Sequence, residues 1–292
     1  MQLPALSAGT ARQRTGGSLM PKLALVSAVL LAAFVTVTVL LFSCSGDGLA
    51  GGSSETGNSG VGVLRVETFD APPPRDVEHV YLTFTMVEIH SEERGWVVVS
   101  TDTIQVDFLT LVNGRVAQIV DTPVAVGDYD ELRVSLVDTN WIVVAGETYP
   151  LTVPSGPTSG VRIHAMFTIA EDRSTLLYVD FDVSASIAPH DSGFRMVPSF
   201  NAYDATICGR VTGSVRDSVG TPIAHAVVRT VGAASTHATL SDIDGAYTLI
   251  LPSGTYTFEC AADDLGRADT VHHGVTVSSG ETTSELNFIV GR

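Results

Sequence analysis

The stretch His79-Val80-Tyr81-Leu82-Thr83-Phe84-Thr85-Met86 decides the fold. Val80, Leu82, Phe84 and Met86 share one parity, and Tyr81, Thr83 and Thr85 the other. A period of two, not 3.6, reads as a half-buried strand. Val87 and Ile89 continue the apolar pattern on the opposite parity, which predicts a β-bulge near Met86. The same alternation recurs further on. Val161, Ile163, Ala165, Phe167 and Ile169 alternate with Arg162, His164, Met166 and Thr168; Leu177, Val179, Phe181 and Val183 alternate with Tyr178, Asp180 and Asp182. Glu93-Arg94-Gly95, Asn113-Gly114, Pro154-Ser155-Gly156-Pro157 and His190-Asp191-Ser192-Gly193 supply the turn chemistry between runs. Residues 61–204 are thus predicted to form an antiparallel β-sandwich or barrel, with room for one short helical turn around Phe108–Asn113.

A second set of short strands follows over residues 206–292. Gly209, Val211, Gly213 and Val215 stand on alternate positions before Asp217 and Gly220-Thr221-Pro222. Ala226-Val227-Val228 is a short strand, and Ser241–Tyr247 is a turn leading into Tyr247–Leu251. Pro252-Ser253-Gly254 turns into Thr255–Ala261, and Gly274–Val277 and Thr283–Val290 complete the set. Both segments start a strand with G-x-Y, Gly127-x-Tyr129 and Gly254-x-Tyr256, one turn device used twice. The fold class is all-β: two β-sandwich domains behind an N-terminal signal or anchor segment.

Ahead of the strands, Arg12, Arg14 and Lys22 precede Leu23–Phe42, twenty residues without a charge. A basic region before an apolar run is the export pattern, and the positive residues stay on the cytoplasmic side. The run ends Leu41-Phe42-Ser43-Cys44, which resembles a bacterial lipobox; the resemblance implies that residues 1–44 are a signal peptide with its lipobox and that Cys44 is the acylated residue. The run is also long enough to span a bilayer uncleaved, so a transmembrane anchor stays open beside the lipid. Ser45 behind the cysteine resembles the outer-membrane sorting pattern. Residues 45–60, SGDGLAGGSSETGNSG, read as a flexible tether of roughly 20–24 Å root-mean-square span.

The formal charge of −16 excludes a nucleic-acid partner, because phosphate binding needs clustered Lys and Arg. Lys22 is the one lysine of the sequence. Removing the leader's three basic residues leaves 13 basic against 32 acidic, or −19. Such a surface is repelled by anionic lipid, which makes a covalent or spanning anchor the route to a membrane.

The motifs carry a family likeness. Asp70-Ala71-Pro72, Val80-Tyr81-Leu82, Val87-Glu88-Ile89-His90-Ser91, Gly95-Trp96, Val106–Leu109, Gly127-Asp128-Tyr129, Tyr149–Gly156 and Val179–Asp182 resemble the bacterial domain of unknown function DUF4382, common in exported lipoproteins. That resemblance implies a β-sandwich in an exported setting and brings no established catalytic residues. In the second segment G-x-V-x-G-x-V, D-x-x-G-x-P, D-x-D-G-x-Y and P-x-G-x-Y resemble the carboxypeptidase regulatory-like domain, a transthyretin-type sandwich. Its wider group holds carbohydrate-binding-like folds, which favours a sugar or cell-wall partner; fold alone does not fix function.

Few residues suggest chemistry. His90-Ser91-Glu92-Glu93 contains H-x-x-E, but a zinc site needs three or four convergent ligands, and neither H-E-x-x-H nor G-x-S-x-G occurs. Asp242-Ile243-Asp244-Gly245 resembles the opening of a calcium loop, yet Ser253 stands where the bidentate Glu belongs, so a hairpin turn is expected. Asp180 and Asp182 share one strand face at a spacing that suits paired carboxylates; a solvated outer face explains them more simply. Trp96 and Trp141 are candidates for stacking on sugar rings; Trp96 lies just after a Gly turn, where packing over a hairpin is the simpler reading. Cys208 and Cys260 are candidates for a disulfide, since thiols pair outside the cytoplasm; parity turns Cys260 inward and Cys208 outward, and bridging is left to geometry.

The sequence therefore reads as a non-enzymatic protein without cofactor or metal, exported and anchored to a membrane through its N-terminus, at the outer membrane or cell surface. Its expected ligand class is carbohydrate or another envelope component, glycan or protein. A structural spacer or adhesin stalk is the alternative, and a carboxylate-based hydrolase the remote one. Metabolic labelling with a fatty acid tests the anchor: label is expected on the native chain and absent from Cys44→Ala. Label persisting on the alanine variant would exclude acylation at this cysteine.

Overall fold

A computed structural model describes residues 60–70, 72, 77–154, 159–233, 235–261 and 270–291. Cys44, the leader and the tether up to residue 59 lie outside the described residues. The described residues belong to one compact unit.

The first module follows the alternation. Its strands are β1 (Val61–Asp70), β2 (Val77–Ser91), β3 (Gly95–Ser100), β4 (Ile104–Asp107), β5 (Ala117–Ala125), β6 (Gly127–Leu136) and β7 (Thr139–Val144). After these come β8 (Glu147–Thr152), β9 (Val161–Ile169), β10 (Ser174–Phe181), β11 (Ile187–His190), β12 (Gly193–Met196) and β13 (Phe200–Asp204). One sheet has the order β13-β10-β1-β5; the other runs β11-β12-β8-β7-β2-β6-β9, with β3 and β4 also paired to β2. The long strand β2 serves both halves of the large sheet because its register shifts between Phe84 and Met86. That bulge returns Val87 and Ile89 to the buried face already holding Val80, Leu82 and Phe84. The expected helical turn is a 3-10 turn at Phe108–Thr110. Its Phe108 links the sheets through a chain of rings, Phe84–Phe108–Phe181–Phe200, with centroids 6.1, 4.9 and 4.5 Å apart. Each ring removed from water contributes roughly 1.5–3 kcal/mol.

The expected antiparallel architecture needs correction, because the sheets are mixed. β1 runs parallel to β10, and β8 parallel to β12. Neighbours so far apart in sequence are not joined by a hairpin, so no tight turn fixes their relative direction.

The second module adds β14 (Cys208–Asp217), β15 (Val227–Val231), β16 (Ala238–Leu240), β17 (Ala246–Pro252) and β18 (Gly254–Ala261). β19 (Thr270–Val277), β20 (Thr282–Thr283) and β21 (Phe288–Val290) complete it. One sheet is β17-β14-β20 with β21 also on β14, and the other is β16-β15-β18-β19. Val211, Val215, Tyr247, Leu249, Leu251, Phe258, Cys260, Phe288 and Val290 fill the space between them. The single strand expected over Thr283–Val290 is two pieces. Glu285 takes φ 63°, Leu286 N–H donates to Thr212 O, and the Asn287 side chain accepts from Ser214 N–H, so the chain crosses β14 between its two short pairings. A Cβ at Gly213 would collide with the Leu286 carbonyl, which explains the glycine at the centre of G-x-V-x-G-x-V.

The shared G-x-Y device has one geometry. Tyr129 OH donates to Ala125 O and Tyr256 OH to Pro252 O, each at 2.9 Å and each four residues back. Both bonds pin a strand start to the end of the preceding strand, in the manner of a tyrosine corner. At Gly254 a side chain would press on the Tyr256 ring, 3.1 Å away.

The modules meet along a buried seam. The Asn113-Gly114 turn, at φ 60° and 72°, docks on the second module. There Asn113 N–H donates to Thr239 Oγ1 at 2.8 Å, and a Cβ on Gly114 would strike the Thr248 methyl at 2.7 Å. Cys208 and Ile250 pack into the first module's core. The outer face of β10 is also covered, and this corrects the solvated reading of Asp180. Asp180 is 4% exposed, and its Oδ2 lies 3.3 Å from Nδ1 of His237, itself 4% exposed. The contact has ion-pair reach without the alignment of a hydrogen bond. Tyr203 and Tyr256 place their rings 6.0 and 6.3 Å from the imidazole.

Burial raises the Asp180 carboxyl above its ordinary 3.8; His237 opposes that rise and Asp182 adds to it. A carboxyl with a raised folded pKa holds its proton more firmly folded than unfolded. Its contribution to stability is therefore complete below about 3.8 and is lost as pH rises through the raised value. In urea unfolding, the stability of the native chain relative to Asp180→Asn is expected to decline as pH rises above 3.8, by at most about 1.4 kcal/mol per pH unit. A native advantage that instead grows with pH would show that attraction to His237 outweighs desolvation.

Candidate functional site

On the outer face of the large sheet, period-two alternation sends Tyr81 out of β2 and Trp141 out of β7. Asn140 and Ile142 on either side of Trp141 are buried. Asn140 secures the strand: its Oδ1 accepts from Thr83 N–H at 2.8 Å and its Nδ2 donates to Val137 O at 3.1 Å. Tyr81 and Trp141 are direct cross-strand partners, and Pro150 of β8 is the partner of Trp141 on its other side. Trp141 is 43% exposed, high for the largest side chain in the alphabet. With Tyr81, Gln105, Val143 and Thr148 it lines an open depression of about 360 Å³. His79 stacks on Tyr81 with ring centroids 5.4 Å apart and planes 16° from parallel. Its Nδ1 is 2.6 Å from Asp107 Oδ2, so the rim carries an ordered imidazole–carboxylate pair. Gln105 Nε2 donates to Thr83 Oγ1 at 3.3 Å and keeps its carbonyl oxygen on the rim. The arrangement is an aromatic platform with uncharged hydrogen-bonding groups along one side, the chemistry that holds an amphipathic ring.

The other sequence candidates are placed elsewhere. Trp96 pairs with His90 at the far end of β2, while Trp141 pairs with Tyr81. Nine residues of extended strand separate those two positions, about 30 Å. Trp96 is already covered: the Arg133 guanidinium lies 4.1 Å and that of Arg162 5.3 Å from its ring centre, and the His90 ring is at 5.1 Å. Arg133 is held by a bidentate bond to Glu88, both distances 2.6 Å, and this bond raises its pKa. His90, the histidine of H-x-x-E, has Nδ1 2.7 Å from Asp130 Oδ1. Asp180 is in the seam, whereas Asp182 Oδ1 accepts from Ala185 N–H at 2.9 Å and caps the helical turn Val183–Ser186. The two aspartates therefore do not face a common cleft.

The calcium-like loop is a turn. Asp242 Oδ1 accepts from Asp244 N–H at 3.0 Å and Ala246 N–H at 2.9 Å, an Asx arrangement that uses the carboxylate on backbone. Among the described residues no group of three His, Cys, Asp or Glu is placed to hold a metal ion.

Cys208 and Cys260 are not joined to one another, which corrects the candidate disulfide. Parity is the reason: Cys260 points into the second core, while Cys208 points away from it, into the core of the first module. The expected outward direction of Cys208 was right in parity but ends in protein instead of solvent. Burial, with the charges of Asp204 and Asp180, pushes the Cys208 thiol up to about 12 and leaves it unreactive.

Sequence reasoning missed His237, Tyr81 and His79. His237 carries no local signal, since it lies in an irregular loop and is defined by a partner on another module. Tyr81 and His79 were legible as outward positions of β2, but nothing local ties them to Trp141 sixty residues on.

Comparison with known proteins agrees with the two-part reading. Residues 61–198 match the domain of unknown function DUF4382, and residues 210–291 match the carboxypeptidase regulatory-like domain. No curated protein matches the chain. Among solved structures, the TIE protein of Bacillus anthracis is 11% identical over 83% of this chain and 42% of its own, with a TM-score of 0.27. The minor pilin GBS52 of Streptococcus agalactiae is 10% identical over 78% of this chain and 96% of its own, with a TM-score of 0.24. A C-terminal fragment of the pilus adhesin SpaC from Lactobacillus rhamnosus GG is 11% identical over 78% and 97%, with a TM-score of 0.22. At such scores neither fold nor function passes from those proteins to this one. The matches along the chain run in order: a stretch similar to DUF4382, then one similar to the carboxypeptidase regulatory-like domain.

Proposed function

We propose that this chain is a non-catalytic, envelope-associated binding protein, exported and held at a membrane by lipid on Cys44, whose ligand is carbohydrate. The observation that carries the reading is the Trp141–Tyr81 platform, an aromatic surface left open on the outer face of the large sheet. Stacking on aromatic faces suits the C–H face of a sugar, and the neighbouring Gln105 and Thr148 suit its hydroxyls. The absence of catalysis is supported by how the ionisable side chains are used. His79 faces Asp107, His90 faces Asp130, Glu88 holds Arg133 and Asp182 caps a turn. The −19 charge expected after processing supports the anchor, because such a surface does not adhere to anionic lipid unaided.

The buried seam favours a second reading, a rigid spacer without a small ligand. A glycan array probed with the detergent-solubilised full-length protein separates the two. Bound glycans are expected, with Trp141→Ala weakening them about tenfold or more, as loss of an aromatic anchor does. An array without signal, or one that Trp141→Ala leaves unchanged, would overturn the platform and leave the spacer.

A further inference from the structure

Resting on the carbohydrate reading, the geometry points to a ligand class: we infer that the platform takes a neutral, gluco-configured, β-linked pyranose chain, gripped along its length and not at an end. Four observations converge on it.

The first is shape. The depression of about 360 Å³ is at the small end of ligand clefts, about 300–1,000 Å³, and it is open instead of slot-like. Its floor is three neighbouring extended strands, β2, β7 and β8, through Tyr81, Trp141 with Val143, and Thr148. A flat floor fits a flat ligand. An equatorial β-linkage keeps successive rings in an extended ribbon, whereas an α-linkage curls the chain away from the surface.

The second is ring chemistry. Stacking on an indole requires a pyranose face that presents C–H groups without hydroxyls. All-equatorial substitution, as in the gluco series, leaves such a face on both sides of the ring; an axial hydroxyl removes it from one.

The third is charge. Asp107, the β4 partner of Tyr81, places its carboxylate on the platform rim. The nearest imidazole, His79, already faces Asp107. Arginines on this sheet stand off: Arg195 is beside Thr152, on the strand beyond β8, and Arg133 and Arg162 lie around Trp96 at the other end. A uronic-acid or phosphate-bearing polymer would meet a carboxylate where it needs cations. The mature chain carries no lysine to compensate.

The fourth is the hydrogen-bonding set. The lining offers the Gln105 amide, the Thr148 hydroxyl and the polar edges of Tyr81 and Trp141, all uncharged. These match hydroxyl groups singly, and none forms the bidentate fork that recognises a carboxylate or phosphate.

Affinity electrophoresis of the detergent-solubilised full-length protein tests the class. Native gels would contain hydroxyethyl cellulose as the neutral β-glucan, soluble starch as the α-glucan, or polygalacturonate as the polyanion. Retardation is expected in hydroxyethyl cellulose alone, and it should persist at high salt because no ion pair contributes. Trp141→Ala and Tyr81→Ala should each weaken it about tenfold, while Trp96→Phe should leave it intact. Melting curves of the variants confirm that they fold; Tyr81→Phe, which keeps the ring, should retain binding if stacking is the cause. Retardation by starch or polygalacturonate equal to that by hydroxyethyl cellulose, and abolished by Trp141→Ala, would overturn the ligand class while leaving the platform in place. Retardation in hydroxyethyl cellulose that Trp141→Ala does not change would overturn the site. No retardation in any gel and no signal on the array would overturn the carbohydrate reading itself.

Discussion

Strand β10 is covered on both faces, and much of the molecule is arranged around that constraint. Leu177, Val179 and Phe181 point into the first sandwich, while Tyr178 and Asp180 point into the second module. A strand of a two-layer sandwich normally keeps one face for water, which is why its polar positions alternate with apolar ones. Here the alternation survives in sequence, but the second module has replaced the water. The cost is a carboxylate taken out of solvent, and burial of an unpaired charge is among the more expensive events in folding. His237 comes from the second module to within 3.3 Å of it, and burial still outweighs that attraction in setting how firmly the carboxyl holds its proton. Replacing either side chain disturbs a contact between the modules and not one within a single core. The pair therefore fixes how the modules sit against each other more than how strongly each one folds.

That arrangement explains which parts of the fold were legible. Everything depending on period two was readable: the strands of the first module, the bulge at Phe84/Met86, the inward direction of Phe258 and Cys260, and the twin tyrosine devices at Tyr129 and Tyr256. These are local consequences of side chains alternating across a pleat or of a hydroxyl reaching back four residues. Parity also gave the correct direction for Asp180 and Cys208. It failed only on what waits in that direction, because a single strand's pattern distinguishes its two faces and cannot say whether the polar one meets solvent or another domain. The parallel pairing of β1 with β10 and the split of the last strand into β20 and β21 were hidden for the same reason. They depend on contacts far apart in sequence, and for the split on the Leu286 carbonyl crossing Gly213.

The candidate site was legible by residue type and not by constellation. Trp141 and Trp96 were both candidates for stacking, and only the Gly turn ahead of Trp96 set it apart as a residue expected to pack over a hairpin. Their neighbours separate them. Trp96 sits opposite His90, in reach of Arg133, which Glu88 clamps over the indole face. A cation over an aromatic ring contributes about 0.5–2 kcal/mol, and the indole face so occupied is closed to a sugar. Trp141 has Tyr81 on one side and Pro150 on the other, neither of which carries a charge to cap it.

The same comparison bears on catalysis. An active site needs ionisable groups held in reserve, close to a cleft and not satisfied by one another. On this sheet face His79, His90, Glu88 and Arg133 each have a close partner of opposite charge type, and the carboxylates Asp180 and Asp182 are separated by the strand's own twofold use, one in the seam and one on a cap. The chemistry left to the surface is the part that satisfied pairs do not consume: an exposed aromatic ring and uncharged donors beside it. It is on that exposed ring, and not on any ionisable group, that the proposed carbohydrate binding rests.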